Sequence, residues 1–161
     1  MLLLVHHGDA VGPEVDPMRP LSRIGVEAST SLASMVASRG MKPDVIWHSG
    51  KIRALQTAQL FRDACNPHAR CKAVRGLQPG DPAAWILDEL IGDDRAILLV
   101  GHMPHLAALL RLLGDGSRET TPADFPVHGC VALERQEGDW REVWRLAPDA
   151  AVATGPTGSA D

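Results

Sequence analysis

The stretch Leu2-Leu3-Leu4-Val5-His6-His7-Gly8-Asp9-Ala10 joins an apolar run to two adjacent histidines and a glycine. The run of β-favouring side chains predicts a strand, and the glycine predicts a turn directly after it. Because α/β proteins bind ligands at the carboxyl ends of their strands, we predict an α/β fold with a site at His6 and His7. An ordinary strand-end loop that carries two histidines is the alternative that this stretch leaves open.

Strand-like and helix-like segments alternate along the rest of the chain. Strands are predicted at 44–48, 71–74 and 96–100, and helices at 23–39, 51–65, 82–92 and 104–113. A polar loop is predicted at 115–128, and two further strands, 130–135 and 140–146, flank Glu137-Gly138-Asp139 as a hairpin. This order predicts a three-layer α/β/α sandwich with a mostly parallel central sheet and an antiparallel C-terminal hairpin.

The composition limits the domain count and the class of partner. With 161 residues and 45% hydrophobic residues, the chain can bury one core, so we expect a single domain over 1–146. Ala, Gly, Pro, Ser and Thr dominate afterwards and predict a disordered tail over 147–161. The net charge of −4 provides no basic surface for nucleic acid or for an anionic membrane.

The cysteines and the amino terminus indicate the compartment. Three cysteines without CxxC spacing predict neither a disulfide framework nor a structural zinc site, and they fit a reducing cytoplasm. The apolar run at 2–5 is far shorter than the roughly 18 residues of a membrane span. We therefore expect a soluble, cytoplasmic protein that binds neither nucleic acid nor membrane.

Three predicted strand ends carry side chains suited to phosphate chemistry. They are His6-His7-Gly8, His48-Ser49-Gly50 with Arg53 one turn later, and Gly101-His102-Met103-Pro104. Parallel strands bring these ends to one edge of the sheet. Imidazoles, a guanidinium and helix amino termini together can bind a phosphoryl group, and a neutral imidazole nitrogen can attack it.

Five segments in chain order carry a resemblance to a known family. They are His7-Gly8-Asp9-Ala10, Arg19-Pro20-Leu21-Ser22, Ser49 with Arg53-Ala54 and Gln56-Thr57, Leu77 to Asp81, and Gly101-His102-Met103-Pro104. Over 1–146 they resemble the histidine phosphatase superfamily, which is phosphoglycerate mutase-like in fold. Within it they are most similar to the small SixA-like phosphohistidine phosphatases.

The resemblance implies a hydrolase and a role for each matching residue. His7 matches the nucleophile that becomes transiently phosphorylated, and Arg53 and His102 match residues that hold the phosphoryl oxygens. Arg19 and Ser49 are expected at the same phosphate. The resemblance implies neither a cofactor nor a metal.

The proton donor for the leaving group is the least defined role. Asp81 is the first candidate and Asp9 the second, and a turn-stabilising function is the alternative for both carboxylates.

His6 stands where the family motif Arg-His-Gly has its arginine. A histidine offers one donor toward phosphate and lacks the fixed charge of arginine. Three explanations stay open: a bound phosphate keeps His6 protonated, Arg19 or Arg23 supplies the charge, or turnover is poor. If a bound phosphate keeps His6 protonated, we expect His6 to bind that phosphate and activity to rise at mildly acidic pH. We also expect His6→Arg to increase turnover at neutral pH.

The expected substrate follows from the short loop at 75–81, which leaves the site open. An open site favours phosphohistidine on a phosphotransfer protein over an enclosed small phosphate ester. The alternatives are a phosphatase of small phosphomonoesters and a phosphate- or phosphoprotein-binding module without turnover. A metal enzyme is a weaker alternative, because the chain has no HExxH motif. The histidines that could cluster around a metal are six of the seven: His6, His7, His48, His102, His105 and His128.

Overall fold

The computed structural model describes residues 1–114 and 125–148. In chain order the elements are β1 (Leu2–His6), α1 (Arg23–Ser38), β2 (Val45–His48), α2 (Ile52–Cys65), β3 (Arg70–Ala73), α3 (Ala83–Ile91), β4 (Ile97–Gly101), α4 (His105–Leu113), β5 (Cys130–Gln136) and β6 (Asp139–Leu146). Each agrees with a predicted element to within one or two residues.

The six strands form one sheet in the order β3-β2-β4-β1-β5-β6. The pairs β3–β2, β2–β4 and β4–β1 are parallel, whereas β5 is antiparallel to β1 and to β6. Glu137 and Gly138 turn the β5–β6 hairpin with φ values of 54° and 97°, as a tight two-residue turn requires. The predicted mostly parallel sheet with an antiparallel hairpin is confirmed.

Alternate residues of the strands bury two separate cores. Leu3 and Val5 face the side covered by α1 and α2, and Leu2 and Leu4 face the side covered by α3 and α4. All four side chains are fully buried, which stabilises the fold by about 1.5–3 kcal/mol for each. Because the two helix pairs cover opposite faces, the architecture is the predicted three-layer sandwich.

The start of α1 is packed tightly against the turn after β1. Ser22 caps the helix by accepting a 3.0 Å hydrogen bond from the backbone N–H of Gly25. A Cβ on Gly25 would lie 2.0 Å from the carbonyl oxygen of Asp9. Glycine at this position therefore lets the turn that follows β1 lie directly against the helix.

Two predictions fall wholly or largely outside the part of the chain that the structure describes. They are the polar loop at 115–128, of which only 125–128 are described, and the tail at 147–161, of which only 147 and 148 are described. Within the described ranges, no helix is both long enough and apolar enough to cross a bilayer.

Candidate active site

The parallel pairing of β2, β4 and β1 brings three strand ends to one edge of the sheet. His6 is paired with Gly101 and His48 with Val100, so the residues that follow each strand emerge side by side. As a result His7, Ser49 and His102 form one cluster, which agrees with the prediction from sequence. The ring centroids of His7 and His102 are 4.9 Å apart.

The hydrogen bonds of His7 define which of its nitrogens carries the proton. Nδ1 lies 2.8 Å from the carbonyl oxygen of Gly8, so this nitrogen donates. Nε2 accepts a 3.2 Å hydrogen bond from Nε of Arg53 and therefore carries the lone pair. Burial is the main cause that lowers the pKa of His7 to about 4, and the charge of Arg53 adds to it. His7 is thus a neutral imidazole at neutral pH.

Arg53 also contacts His102, which is bound to Ser49 in turn. Nη2 of Arg53 lies 3.5 Å from Nδ1 of His102, and Nε2 of His102 lies 2.6 Å from Oγ of Ser49. Since the guanidinium only donates, Nδ1 of His102 accepts and its Nε2–H points to the serine. Burial, followed by the neighbouring His7, lowers the pKa of His102 to about 3.

His6 is buried beside His7, with a ring-centroid distance of 4.7 Å. Its Nδ1 accepts a 3.0 Å hydrogen bond from the backbone N–H of His128, so the proton of the neutral ring is on Nε2. Desolvation, followed by the charges of His7, His128 and Arg53, lowers the pKa of His6 to about 3. In the free protein His6 is therefore neutral and has one N–H donor.

The sequence places His128 among the histidines that could cluster around a metal, but it gives this residue no role at a phosphate. In the structure the ring of His128, at the end of the predicted polar loop, stacks on that of His6 at 4.9 Å with an interplanar angle of 18°. Its Nδ1 donates a 2.7 Å hydrogen bond to the carbonyl oxygen of His7. The sequence feature that could have predicted this role is the position of His128 directly before Gly129 and β5, because β5 pairs with β1.

The two arginines considered as a replacement charge have different surroundings. Nε of Arg19 donates a 3.2 Å hydrogen bond to the carbonyl oxygen of Val11, and its charge contributes to lowering the pKa values of His7 and Arg53. Arg23 pairs with Glu27, and its side chain is 77% exposed. Arg19 is therefore the one of the two whose field reaches the cluster.

Thr57 links the turn after β1 to the first turn of α2. Its Oγ1 accepts a 3.1 Å hydrogen bond from the backbone N–H of Gly8 and donates a 2.8 Å hydrogen bond to the carbonyl oxygen of Arg53. The side chain is 1% exposed. The sequence motif that contains Thr57 predicts no role for it. In the structure its hydroxyl holds together the two segments that carry His7 and Arg53.

The two carboxylates considered as proton donors are both hydrogen-bonded within the protein. Asp81 accepts a 3.0 Å hydrogen bond from the backbone N–H of Gln78, whose side-chain amide donates to the carbonyl oxygen of Ser49. Asp9 accepts a 2.5 Å hydrogen bond from Oγ of Ser22, the cap of α1. The contact of Asp81 is that of a turn, the contact of Asp9 joins the segment after β1 to α1, and a proton-donor role for Asp81 stays a prediction from sequence.

The imidazoles of His6, His7 and His128 bring three nitrogens within 4.8 Å of one another, a spacing at which a metal ion could bind. The hydrogen bonds place a proton on Nε2 of His6 and its lone pair against a backbone N–H. Only two of the three rings then offer a lone pair to an ion. Two ligand nitrogens are fewer than the three protein ligands that a catalytic zinc site uses, and the positive charge of Arg53 beside His7 opposes a cation.

Known proteins resemble this chain in structure rather than in sequence. No protein-family model and no curated protein matches it by sequence. A protein assigned as the phosphohistidine phosphatase SixA of Agrobacterium tumefaciens superimposes with a TM-score of 0.77 at 25% identity, over 91% of this chain and 97% of its own. The protein histidine phosphatase SixA in complex with tungstate has a TM-score of 0.79 at 24% identity, over 91% and 96%.

A more distant likeness extends the comparison. A phosphoserine phosphatase of Entamoeba histolytica in complex with 3-phosphoglyceric acid has a TM-score of 0.67 at 15% identity, over 92% of this chain and 97% of its own. At that identity the likeness concerns the fold alone. Together with the SixA structures, it shows that this chain has the fold of the histidine phosphatases. The 25% identity with a SixA protein over nearly the whole of both chains supports a phosphatase similar to the SixA-like branch of that superfamily.

Proposed function

We propose that this hydrolase removes phosphoryl groups through a covalent phosphohistidine on Nε2 of His7, and that its substrate is phosphohistidine on a protein. The observation that carries the proposal is the protonation of His7. Its Nδ1–H is held by the Gly8 carbonyl oxygen, so the lone pair is on Nε2, beside the cation Arg53. A neutral, oriented imidazole next to a fixed positive charge is suited to attack a phosphorus atom.

In the first step the Nε2 lone pair of His7 forms a bond to phosphorus. The bond between phosphorus and the substrate nitrogen breaks, and the leaving imidazole takes that electron pair and a proton from solvent water. In the second step a water oxygen attacks phosphorus and the bond to Nε2 breaks. One proton of that water returns to the solvent, inorganic phosphate leaves, and the lone pair returns to Nε2 of His7.

The charges around His7 match a transferring phosphoryl group. Arg53 turns its donors from the two histidines to the phosphoryl oxygens, and Arg19 adds a second positive charge. A dianion between them favours the protonated form of His102, whose Nδ1–H then donates to an oxygen while Nε2–H stays on Ser49. The Nε2–H of His6 supplies a further donor in place of the arginine of the family motif.

The protein substrate is supported by the short connection between β3 and α3. Nine residues, 74–82, join these elements, so little chain is available to enclose a small molecule. Both SixA structures that this chain resembles are phosphatases of histidine by description. Imidazole is also a better leaving group than an alkoxide, so its departure depends less on a proton donor from the protein. This fits a site in which the carboxylates of Asp81 and Asp9 are already hydrogen-bonded to other groups.

The test is to incubate the protein with a phosphohistidine-bearing phosphotransfer domain and analyse it by mass spectrometry at neutral pH. The expected result is a transient phosphate adduct on His7, which is absent in His7→Gln and present in His68→Gln. His68 is an exposed histidine outside the cluster and serves as the matched control. Release of inorganic phosphate, measured in parallel, reports complete turnover.

The same experiment separates the alternatives. Binding of the phosphorylated domain with neither adduct nor phosphate release would identify a phosphoprotein-binding module and overturn the enzymatic proposal. An adduct formed faster from a small phosphomonoester than from the phosphorylated domain would retain the role of His7 and overturn the substrate assignment.

A further inference from the structure

His128 contacts both histidines of the β1 end by different groups. Its backbone N–H donates to Nδ1 of His6 at 3.0 Å, and its side-chain Nδ1–H donates to the carbonyl oxygen of His7 at 2.7 Å. Its ring is stacked on that of His6, with a centroid distance of 4.9 Å. One residue, 122 positions away in the chain, therefore holds the backbone after β1 and the ring of His6 at the same time.

These contacts determine which donor His6 can offer. A neutral imidazole carries its proton on either nitrogen, and the hydrogen bond made by one nitrogen decides the other. The backbone N–H of His128 points at Nδ1 of His6, so a proton on Nδ1 would meet a second hydrogen. The proton is therefore on Nε2. Among the residues that the structure describes, the charged and titratable groups that face this ring are His7, His128 and Arg53, and none of them is a carboxylate.

The side chain of His128 is needed because its backbone is strained. Its φ is 53°, in the left-handed region that non-glycine residues seldom adopt. On one side Gly129 is fixed by the hydrogen bond from the backbone N–H of His6 to its carbonyl oxygen, at 2.9 Å. On the other side the stack and the hydrogen bond to the His7 carbonyl hold residue 128 in place, and with it the N–H that faces His6.

We propose that His128 is a positioning residue that fixes His6 as an Nε2–H donor, and that this pair of histidines replaces the arginine of the family motif. The inference rests on the proposed function, because the donor is useful only if a phosphoryl group binds at His7. The claim that His6 carries its proton on Nε2 can be tested whether or not the protein turns over a substrate.

The experiment compares His128→Asn, His128→Gly and His128→Ala. Asparagine tolerates left-handed φ, and its Nδ2 has the same position along the side chain as Nδ1 of histidine. It can therefore keep the hydrogen bond to the His7 carbonyl oxygen. Glycine adopts this φ freely but has no side-chain donor. Alanine neither tolerates this φ well nor offers a side-chain donor. His68→Ala, which removes an exposed histidine, is the matched control.

The first readout is the nitrogen NMR spectrum of the imidazoles, with His6 assigned through its loss in His6→Ala. In the parent, in His128→Asn and in His68→Ala, we expect His6 to show the single Nε2–H tautomer. In His128→Gly and His128→Ala we expect an average of both tautomers. A fixed Nε2–H tautomer in His128→Gly would overturn the proposal, because the ring would then be unnecessary.

The second readout is binding of inorganic phosphate and hydrolysis of a phosphohistidine peptide. We expect phosphate affinity and kcat/KM to fall in parallel in His128→Gly, the latter by roughly tenfold to a hundredfold, as for other small losses of alignment. His128→Asn should recover most of both. Should the parent prove to lack turnover, the proposed function fails, while the tautomer of His6 and its response to His128→Gly still decide the role of His128.

Discussion

Nε of Arg53 donates a 3.2 Å hydrogen bond to Nε2 of His7, the nitrogen that carries the lone pair. The same guanidinium reaches Nδ1 of His102 at 3.5 Å. In the free protein Arg53 therefore lies against the two nitrogens between which a phosphoryl group would be held. Its contacts must be exchanged for phosphoryl oxygens when substrate binds, so both the charge and the shape of this side chain matter.

We predict that Arg53→Lys lowers kcat/KM by on the order of 10²–10³, because an ammonium group cannot present a planar fork to two partners. Arg62→Lys is the matched control, since Arg62 is also on α2 and pairs with the exposed Asp63 at 3.3 Å. Steady-state hydrolysis of a phosphohistidine peptide measures the effect. Equal rates for the two variants would contradict a role of Arg53 at the phosphate.

The pH dependence of kcat/KM should follow His7. Its pKa of about 4 lies below the ordinary value of 6.5, so Nε2 keeps its lone pair through the neutral range and gains a proton only in acid. We predict a level profile from about pH 6 to 8 and a decline below about pH 5, since kcat/KM reports the free enzyme. Higher activity in mild acid would instead require that a bound phosphate keep His6 protonated, although burial lowers the pKa of His6 to about 3 in the free protein. A rate that rises from pH 7 to 5.5 would contradict this prediction.

The same lowered pKa values should make the fold less stable in acid. His6, His7 and His102 bind protons in the unfolded chain near pH 6.5 but resist them when folded. The unfolding free energy is therefore fully present above about pH 6.5 and falls as pH decreases, by up to about 1.4 kcal/mol per pH unit for each group. Urea denaturation between pH 7 and 5 measures the slope. Replacing His102 by asparagine should reduce that slope, and an unchanged slope would refute the assignment.

Thr57→Val should weaken both the fold and the activity. Valine leaves the backbone N–H of Gly8 without its buried acceptor, which costs about 1–3 kcal/mol of unfolding free energy. It also releases the connection between Gly8 and the carbonyl oxygen of Arg53. Thr57→Ser keeps the hydroxyl and should keep most of kcat/KM. Equal loss in both variants would mean that the methyl group, and not the hydrogen bonds, is important.

Gly25→Ala should destabilise the protein, because the added Cβ would lie 2.0 Å from the carbonyl oxygen of Asp9. Relieving that overlap requires the turn after His7 to move away from α1, at a cost of about 1–3 kcal/mol. Gly92→Ala is the control, since nothing lies within 4 Å of its added Cβ. Thermal unfolding of the two variants should differ clearly, and a neutral Gly25→Ala would show that the turn adapts.

Most of the fold could be predicted because the signals are local. The periodic apolar residues of α1 and α4, the serine cap at Ser22 and the glycines at helix ends each act within a few residues. Strand bounds were less accurate: β3 covers Arg70–Ala73 and not 71–74. Three of its four residues are exposed to a large extent, so the hydrophobic pattern there is weak.

The sequence could predict which residues come together in the candidate site, but not the hydrogen bonds that join them. His7, Arg53 and His102 were found because each follows a strand of a parallel sheet, so topology alone brings them together. The role of His128 beside His6 was not predicted, because its contact depends on the antiparallel strand β5, whose pairing with β1 no local pattern reveals. The contacts of Asp81 and Asp9 likewise depend on the groups that the fold places against them.

The sequence by itself determined the alternation of strands and helices, the edge of the sheet where His7, Ser49 and His102 cluster, and the histidine at position 6. These follow from side-chain periodicity and from residue types at strand ends. Only the tertiary structure decided where the protons lie. The tautomers of His6 and His7 depend on the His128 N–H, the Gly8 carbonyl oxygen and the Arg53 guanidinium. Such assignments depend on the direction of single hydrogen bonds between groups that the fold brings together, and two of these three bonds join residues 46 and 122 positions apart.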